Sequence, residues 1–307
     1  MKKILVATEK PFAKAAIDQI APVVKEAGYE LVLLEKYTDK AELLAAVKDV
    51  HAMIVRSDKV TREVVEAAPE LKIVVRAGAG FDNLDLEACT EKGIVAMNTP
   101  GQNSNAVGEL VLGMMVFMAR NGYNGTAGTE LRGKKIGIHA YGNVGHYVAE
   151  IAKGFGMEIY AFDPFVAKEK IEAAGIKPLE TVEELYSTCD YVSLHIPANE
   201  HTKQSINYDL LNKMPKGGTL VNTARKEVIH EEEILKLMAD RPDFTYISDI
   251  APDNKADFEA GYEGRYFFTP KKMGAQTAEA NINAGVAAAK QIIGFFENGD
   301  ETFRVNK

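Results

Sequence analysis

The stretch KKIGIHAYGNVGHYVAEIAKGFGMEIYAFDP, Lys134 to Pro164, decides the fold. Ile136 and Ile138 alternate along a β-rich run that enters the turn Ala140-Tyr141-Gly142-Asn143-Val144-Gly145. Val148, Ile151 and Phe155 then recur at helical spacing, so the turn opens a helix. Gly142 lets the backbone approach a pyrophosphate, and Gly145 lets the helix lie close on the strand. The helix N-terminus, with Asn143 and Val144, offers free N–H groups and the positive end of a dipole. Where the usual pattern has its first glycine, this chain has Ala140. The next apolar run, Glu158 to Phe162, ends in Asp163. A carboxylate there accepts both ribose hydroxyls of NAD and repels the 2′-phosphate of NADP. A glycine turn alone is a weak signal; strand, turn, helix and acid-ended strand in sequence are a specific one. The alternative is an α/β turn that holds nothing.

With 307 residues, 46% of them hydrophobic and 26% charged, the chain has room for about two globular domains. A net charge of −8 argues against nucleic acid or an anionic membrane as partner. Cys89 and Cys189 stand far apart without metal-ligand spacing, and read as buried free thiols of a reducing compartment. No metal site is expected. The start, MKKILVATEKPF, has too short an apolar run for a secretory signal. The most apolar stretch, 108–119, contains Glu109 and is well short of the roughly 20 residues that span a bilayer. A cytoplasmic location is the default expectation.

Outward from the decisive stretch, the first ninety-odd residues alternate short β-rich runs with helical ones: KILVAT, 12–27, ELVLLE, 41–48, AMIVRS, 61–67, KIVVRAG, 84–92 and GIVAMN. Such alternation implies a parallel sheet with helices on both faces, complete before the glycine turn begins. The polar cluster from Asn98 to Asn103 marks a boundary, and a long helix is expected over 105–120. Beyond Asp163, further strands are expected at 190–194, 219–221, 244–249 and 265–268, with a last helix from about Thr277 to Glu297. Whether that helix returns to the first domain is not decided by periodicity.

Several signatures in order resemble the D-2-hydroxyacid dehydrogenase family, and within it the short phosphoglycerate dehydrogenases. They are RSDKVT at 56–61, VRAGAGFDNLDLEAC at 75–89, MNTPGQNSNAVGEL at 97–110, the glycine turn, LHIP at 194–197 and VNTARKEVI at 221–229. The resemblance implies an α/β architecture of two doubly wound parallel-sheet domains with the active site in the cleft between them. Residues 1–99 and 277–307 would form a flavodoxin-like substrate domain, closed by the last helix, and 100–276 a Rossmann NAD domain. It also implies a homodimer through the NAD domain, for which Val107, Val111, Met114, Met115 and Met118 of helix 105–120 offer an apolar face; the alternative is packing inside the chain. Because the chain stops at Lys307 without added regulatory modules, direct serine feedback is not expected.

Oxidising a 2-hydroxy acid requires a base for the hydroxyl proton, a cation for the carboxylate and a nicotinamide to take hydride. Arg225 matches the family's catalytic and substrate-binding arginine, whose planar fork suits a bidentate grip. The loop Ala77-Gly78-Ala79-Gly80 matches its carboxylate loop. Arg56, with Ser57 beside it, and Arg76 match positions that hold a substrate phosphate; salt bridges to Asp58 or Asp82 are the alternative. Asn98 and Gln102 are candidates for further polar contacts in the same set. On the cofactor side the resemblance implicates His195, Pro197 and Thr202 near the adenosine, and Thr223, Ala224 and Asp249 near the nicotinamide; Asp249 could instead cap a loop.

Two departures stand out. The family's catalytic histidine lies in a Thr-Pro-His-Ile-Gly run, where this chain has Thr269-Pro270-Lys271-Lys272-Met273-Gly274. Lys272 takes the histidine's place counted back from Gly274, and Lys271 if counted from Pro270; Lys272 is favoured. The carboxylate that partners the histidine is replaced by Asn254, although Asp253 stands beside it. A lysine starts near pKa 10.4 and needs a downward shift to act as a base near neutrality. Loss of the carboxylate and proximity to Arg225 both act in that direction. Lys226-Glu227 also replaces a pair of glycines after the arginine. The expected activity is NAD-dependent oxidation of D-3-phosphoglycerate at the entry to serine synthesis. The alternatives are a hydroxypyruvate or glyoxylate reductase and a catalytically silent NAD(H) sensor.

Overall fold

The computed structural model describes residues 1–306. The chain alternates strand and helix: β1 (Lys3–Thr8), α1 (Lys14–Glu26), β2 (Glu30–Glu35), α2 (Lys40–Ala46), β3 (Ala52–Val55), α3 (Arg62–Glu66), β4 (Ile73–Arg76), α4 (Leu86–Glu91), β5 (Val95–Asn98) and α5 (Ser104–Ala119). It continues through β6 (Lys135–His139), α6 (Asn143–Gly154), β7 (Glu158–Phe162), α7 (Lys168–Ala173), β8 (Lys177–Pro178), α8 (Val182–Thr188), β9 (Tyr191–Leu194), α9 (Tyr208–Leu211) and β10 (Thr219–Asn222). Then come α10 (Glu231–Asp240), β11 (Thr245–Ser248), α11 (Lys255–Gly261), β12 (Tyr266–Phe268) and α12 (Ala278–Asn298). Two compact units result: Met1–Asn103 with the chain from Gln276 onward, and Ser104–Ala275.

Unit 1 is a parallel five-stranded sheet in the order β2-β1-β3-β4-β5. Alternate residues of each strand point to opposite faces, and here both faces are apolar. On one, Leu5, Met53, Val55 and Val74 pack under α2, α3 and α4. On the other, Ile4, Val6, Ile54, Ile73 and Val75 meet Ala16, Ile20 and Val24 of α1 and Ala284, Ala288, Ala289 and Ile292 of α12. Small residues let α12 lie close: a Cβ on Gly285 would stand 2.8 Å from Ile20 Cδ1. Thr277 caps α12 by accepting from the Ala280 N–H at 3.1 Å, and Gly299 in the left-handed region ends it.

Unit 2 is a parallel seven-stranded sheet in the order β12-β11-β10-β9-β6-β7-β8. Ile136, Ile138, Ile159, Val221 and Ile247 pack against α5 and α6, and Val192, Leu194, Leu220 and Tyr246 against α8 to α11. The expected two doubly wound parallel sheets are therefore present. The expected free apolar face on α5 is not. Val107, Val111, Met114 and Met115 are buried within the chain, because α5 lies across α6 and the sheet and spends that face on the unit's own core. Both cysteines are buried and free, and burial pushes their thiols up to about 11 and about 12. Among the described residues no helix is long and apolar enough to cross a membrane.

Candidate active site

In an open α/β sheet a ligand belongs at the carboxyl ends of the strands, where the strand order reverses. In unit 2 that point lies between β6 and β9, and the turn after β6 carries the glycines. Ala140 keeps the left-handed conformation of the glycine it replaces, at φ 80°. A Cβ on Gly145 would stand 2.3 Å from the Ala140 carbonyl oxygen, so glycine there sets how closely α6 approaches the strand end. Gly142, the N-cap of α6, has nothing within 4 Å of its Cβ direction. No side chain caps the helix, which leaves the N–H groups of its first turn free for an anion. Asp163 is tied to the turn: its carboxylate accepts the Tyr141 N–H at 2.8 Å and the Phe165 N–H at 2.8 Å. An open cradle, free N–H groups and an acid one strand away fit a dinucleotide.

The neighbouring strand ends are heterogeneous. His195 follows β9, with Nε2 buried and without a partner; burial, then His139, lowers its pKa to about 3. Pro197 is exposed, and Thr202 closes the loop after it by donating to the Pro197 carbonyl and accepting from the Asn199 N–H. Thr223 is buried and its hydroxyl has no partner in the structure.

After β10, Arg225 is exposed and its Nη1 donates to the Ala224 carbonyl at 2.9 Å. Lys272 donates to the same oxygen through Nζ at 3.1 Å. Of the two candidate lysines, Lys272 thus stands with Arg225, and Lys271 has no bond to that turn. Desolvation of the Lys272 ammonium lowers its pKa, and Arg225 lowers it further, while Asp249 and Glu227 act in the opposite sense. Asp249 is 1% exposed and holds the segment that carries both lysines. Its Oδ1 accepts from the Thr269 hydroxyl at 3.0 Å and the Met273 N–H at 2.8 Å, and its Oδ2 accepts from the Gly274 N–H at 2.8 Å.

Asn254 donates to the Glu231 carbonyl at 2.8 Å, and its Oδ1 is buried without a partner. Asp253 pairs with Lys226 at 2.6 Å and so does not supply Lys272 with a carboxylate. A cavity of about 700 Å³ lined by Lys203, Lys226, His230, Glu231, Asp253 and Asn254 includes neither Arg225 nor Lys272.

In unit 1 the order reverses between β1 and β3, and Arg56 follows β3. Its guanidinium donates to the carbonyls of Lys10 and Pro11, each at 3.1 Å, and to Asn281 Oδ1 of α12 at 2.6 Å, and lies 5.2 Å from the centre of the Phe12 ring. Arg76, at the end of β4, donates through Nε to the Arg56 carbonyl at 3.1 Å. Its Nη1 would stand 1.7 Å from a Cβ on Gly78, so the guanidinium lies directly over that glycine. Both arginines are half-buried, and burial lowers their pKa values. Neither forms a salt bridge among the described residues. Asp58 instead accepts from the Glu9 N–H at 2.6 Å and the Tyr37 hydroxyl at 2.9 Å, and Asp82 is exposed. Two adjacent guanidinium groups that feel Asp58 and Asp82 only at a distance, with no salt bridge among the described residues, have the charge to suit an anion. Ser57 is exposed beside them.

Gly78 takes φ 151°, and Ala79 is exposed with Gly80 after it. Asn98 is buried and spends its amide on the Ala79 carbonyl at 2.6 Å, so it shapes the loop from below. Sequence reasoning did not single out Asn281, Phe12 or Asn222, which hold Arg56 and the Arg225 turn. Asn222 was the one with a signal: a polar residue closing an otherwise apolar strand.

The profile of the D-isomer specific 2-hydroxyacid dehydrogenase NAD binding domain matches residues 113–260. The chain is 36% identical over 267 residues to D-3-phosphoglycerate dehydrogenase of Methanocaldococcus jannaschii, covering 82% of this chain and 51% of that protein. It therefore spans about half the length of that relative. It is 34% identical over 283 residues to hydroxypyruvate reductase of Thermotoga maritima, covering 86% of this chain and 90% of that protein. The NAD+-bound crystal structure of 3-phosphoglycerate dehydrogenase from Entamoeba histolytica superposes with a TM-score of 0.84 at 48% identity, over 100% of this chain and 99% of that one.

Proposed function

The chain belongs to the D-2-hydroxyacid dehydrogenase family, and on that premise we propose that it oxidises D-3-phosphoglycerate to 3-phosphohydroxypyruvate with NAD, and the reverse, at the entry to L-serine biosynthesis. The observation that carries the choice of substrate is the pair Arg56 and Arg76, two half-buried guanidinium groups with no salt bridge among the described residues, suited to a dianionic phosphate. Ala79 and Gly80 present backbone N–H groups to the carboxylate, and Arg225 grips the carboxylate and the reacting oxygen. Lys272, in its neutral form, takes the hydroxyl proton in oxidation and returns it in reduction; the downward direction of its pKa supports this role over Lys271. NAD, when bound, accepts the hydride from C2. Asn143 and Val144, beside Gly142, would hold its pyrophosphate through their free N–H groups, and Asp163 would accept its ribose hydroxyls. Asp249 retains one free lone pair on Oδ2 for the carboxamide.

A second reading, hydroxypyruvate reductase, is favoured by the Thermotoga relative, which matches over most of its own length. The test is NADH oxidation with 3-phosphohydroxypyruvate beside hydroxypyruvate. Turnover confined to the phosphorylated substrate, and lost about tenfold or more in Arg76→Leu, is expected. Equal rates on the two substrates would move the assignment to the reductase, and NADH binding without turnover would make the protein a sensor. A cytoplasmic homodimer is part of the same proposal. Its contact would lie outside the buried α5 face, and light scattering that returned 33.6 kDa would reject it.

A further inference from the structure

Arg225 and Lys272 are cations brought to one point, and among the described residues no carboxylate forms a salt bridge with either. What they share is a neutral acceptor, the Ala224 carbonyl, at 2.9 and 3.1 Å. A carbonyl oxygen has two lone pairs, so it accepts both donors at once.

The position of that carbonyl is set by one side chain. Asn222, the last residue of β10, is 1% exposed. Its Oδ1 accepts the Ala224 N–H at 2.9 Å, and its Nδ2 donates to the Arg225 carbonyl at 2.9 Å. The carboxamide therefore staples the turn on both sides of the shared oxygen. Asn222 is itself fixed: its own carbonyl accepts from the Asp249 N–H at 2.9 Å and the Ser248 hydroxyl at 3.2 Å. Asp249 in turn grips the Thr269 to Gly274 segment that delivers Lys272. One continuous set of hydrogen bonds thus runs from the Arg225 turn to the lysine loop.

We infer that Asn222 is a positioning residue for the reaction: by fixing the Ala224 peptide, it presents a neutral carbonyl as the orienting acceptor of Lys272, in the role a carboxylate has for the family's histidine. The inference rests on the reading of Lys272 as the acid/base. Its physical logic is that an imidazole gains from an anionic partner, which raises its pKa, whereas an amine gains from a partner that orients it without holding its proton. The charged groups that face Lys272 are Arg225, Asp249 and Glu227, and none of them is the acceptor in this arrangement.

The test uses the full chain with Asn222→Ala, Asn222→Ser and Asn222→Asp, read by kcat, KM for NAD, the pH profile of oxidation and the melting temperature. Asn222→Ala is expected to lower kcat about tenfold or more, with KM for NAD changed much less. Asn222→Asp keeps an acceptor for the Ala224 N–H but adds a negative charge, so the rising, acid-side limb of the oxidation profile should move about one pH unit or more to the alkaline side. If the alanine variant does not fold, serine carries the same expectation with a smaller loss, since it retains an acceptor and loses the donor. Profiles that overlay the parent in every folded variant, with activity lost only in step with folded protein, would overturn the inference. Lys272→Ala run alongside separates the two claims. An unchanged profile in that variant removes the acid/base reading itself, while a changed one beside unresponsive Asn222 variants removes only the positioning role.

Discussion

Replacing Gly145 and Gly142 by alanine, one at a time, should separate what the glycine turn does for the fold from what it does for the ligand. At Gly145 the new Cβ lies 2.3 Å from the Ala140 carbonyl oxygen and 2.9 Å from Ile138 Cγ2. The first contact is with backbone, so α6 must withdraw by about 1 Å to reach ordinary van der Waals distance. Overpacking of this kind costs about 1–3 kcal/mol, and the better helix propensity of alanine returns up to about 1 kcal/mol. The expected net loss is about 1–2 kcal/mol, which for a unit of this size lowers the melting temperature by roughly 2–8 °C. At Gly142 nothing lies within 4 Å of the added Cβ, and φ is −82°, so only the cap changes, at a cost of about 0.5 kcal/mol. The methyl group projects into the open cradle in front of the free N–H groups, and NADH affinity should fall about tenfold or more. Calorimetry and a fluorescence titration with NADH check both arms. Equal losses of melting temperature with unchanged NADH affinity in Gly142→Ala would refute the assignment of the cradle.

Two further outcomes follow from the same strand ends. Ala140 stands at φ 80°, a conformation that costs an L-residue about 1–2 kcal/mol. Glycine removes that cost but loosens the unfolded chain by about 0.4–1 kcal/mol, so Ala140→Gly should raise stability by about 0.5 kcal/mol in urea unfolding; destabilisation would show that the alanine methyl packs. His139 is 9% exposed, and burial lowers its pKa to about 4. The unfolded chain therefore takes up this proton more readily, and stability should fall as pH drops from about 6.5 towards 4, by about 1.4 kcal/mol per unit at most. His195 acts in the same sense but is only partly covered, so His139 carries the larger share. His139→Phe should flatten the dependence in that window, and a pH profile of unfolding that overlays the parent would reject it.

Much of this architecture was legible because its signals are local. Strand β1 and strand β3 fall on the runs read as such, since a strand buried on both faces is a continuous apolar run. Strand β8 went unread: two residues, one a proline, leave no periodicity to detect. The apolar face of α5 was visible as a pattern, but whether it met a partner or its own sheet is a tertiary fact. Site residues fared similarly. Arg56, Arg76 and Arg225 announce themselves by charge at strand ends. Their supports do not, because Asn281 reaches Arg56 from the far end of the chain, and the Ala224 carbonyl that gathers Arg225 and Lys272 is a backbone atom with no letter in the sequence.

The return of α12 to unit 1 gives the order of synthesis a structural meaning. Every strand of unit 2 leaves the ribosome before the helix that covers one face of the first sheet and before Asn281, which grips Arg56. A nascent chain therefore has the glycine turn of unit 2 in hand while Arg56 and Arg76 still lack the helix that packs beside them. Synthesis of α12 is therefore a later step than the folding of unit 2, and a chain cut short before Asn281 would keep unit 2 while Arg56 lacked its Asn281 partner.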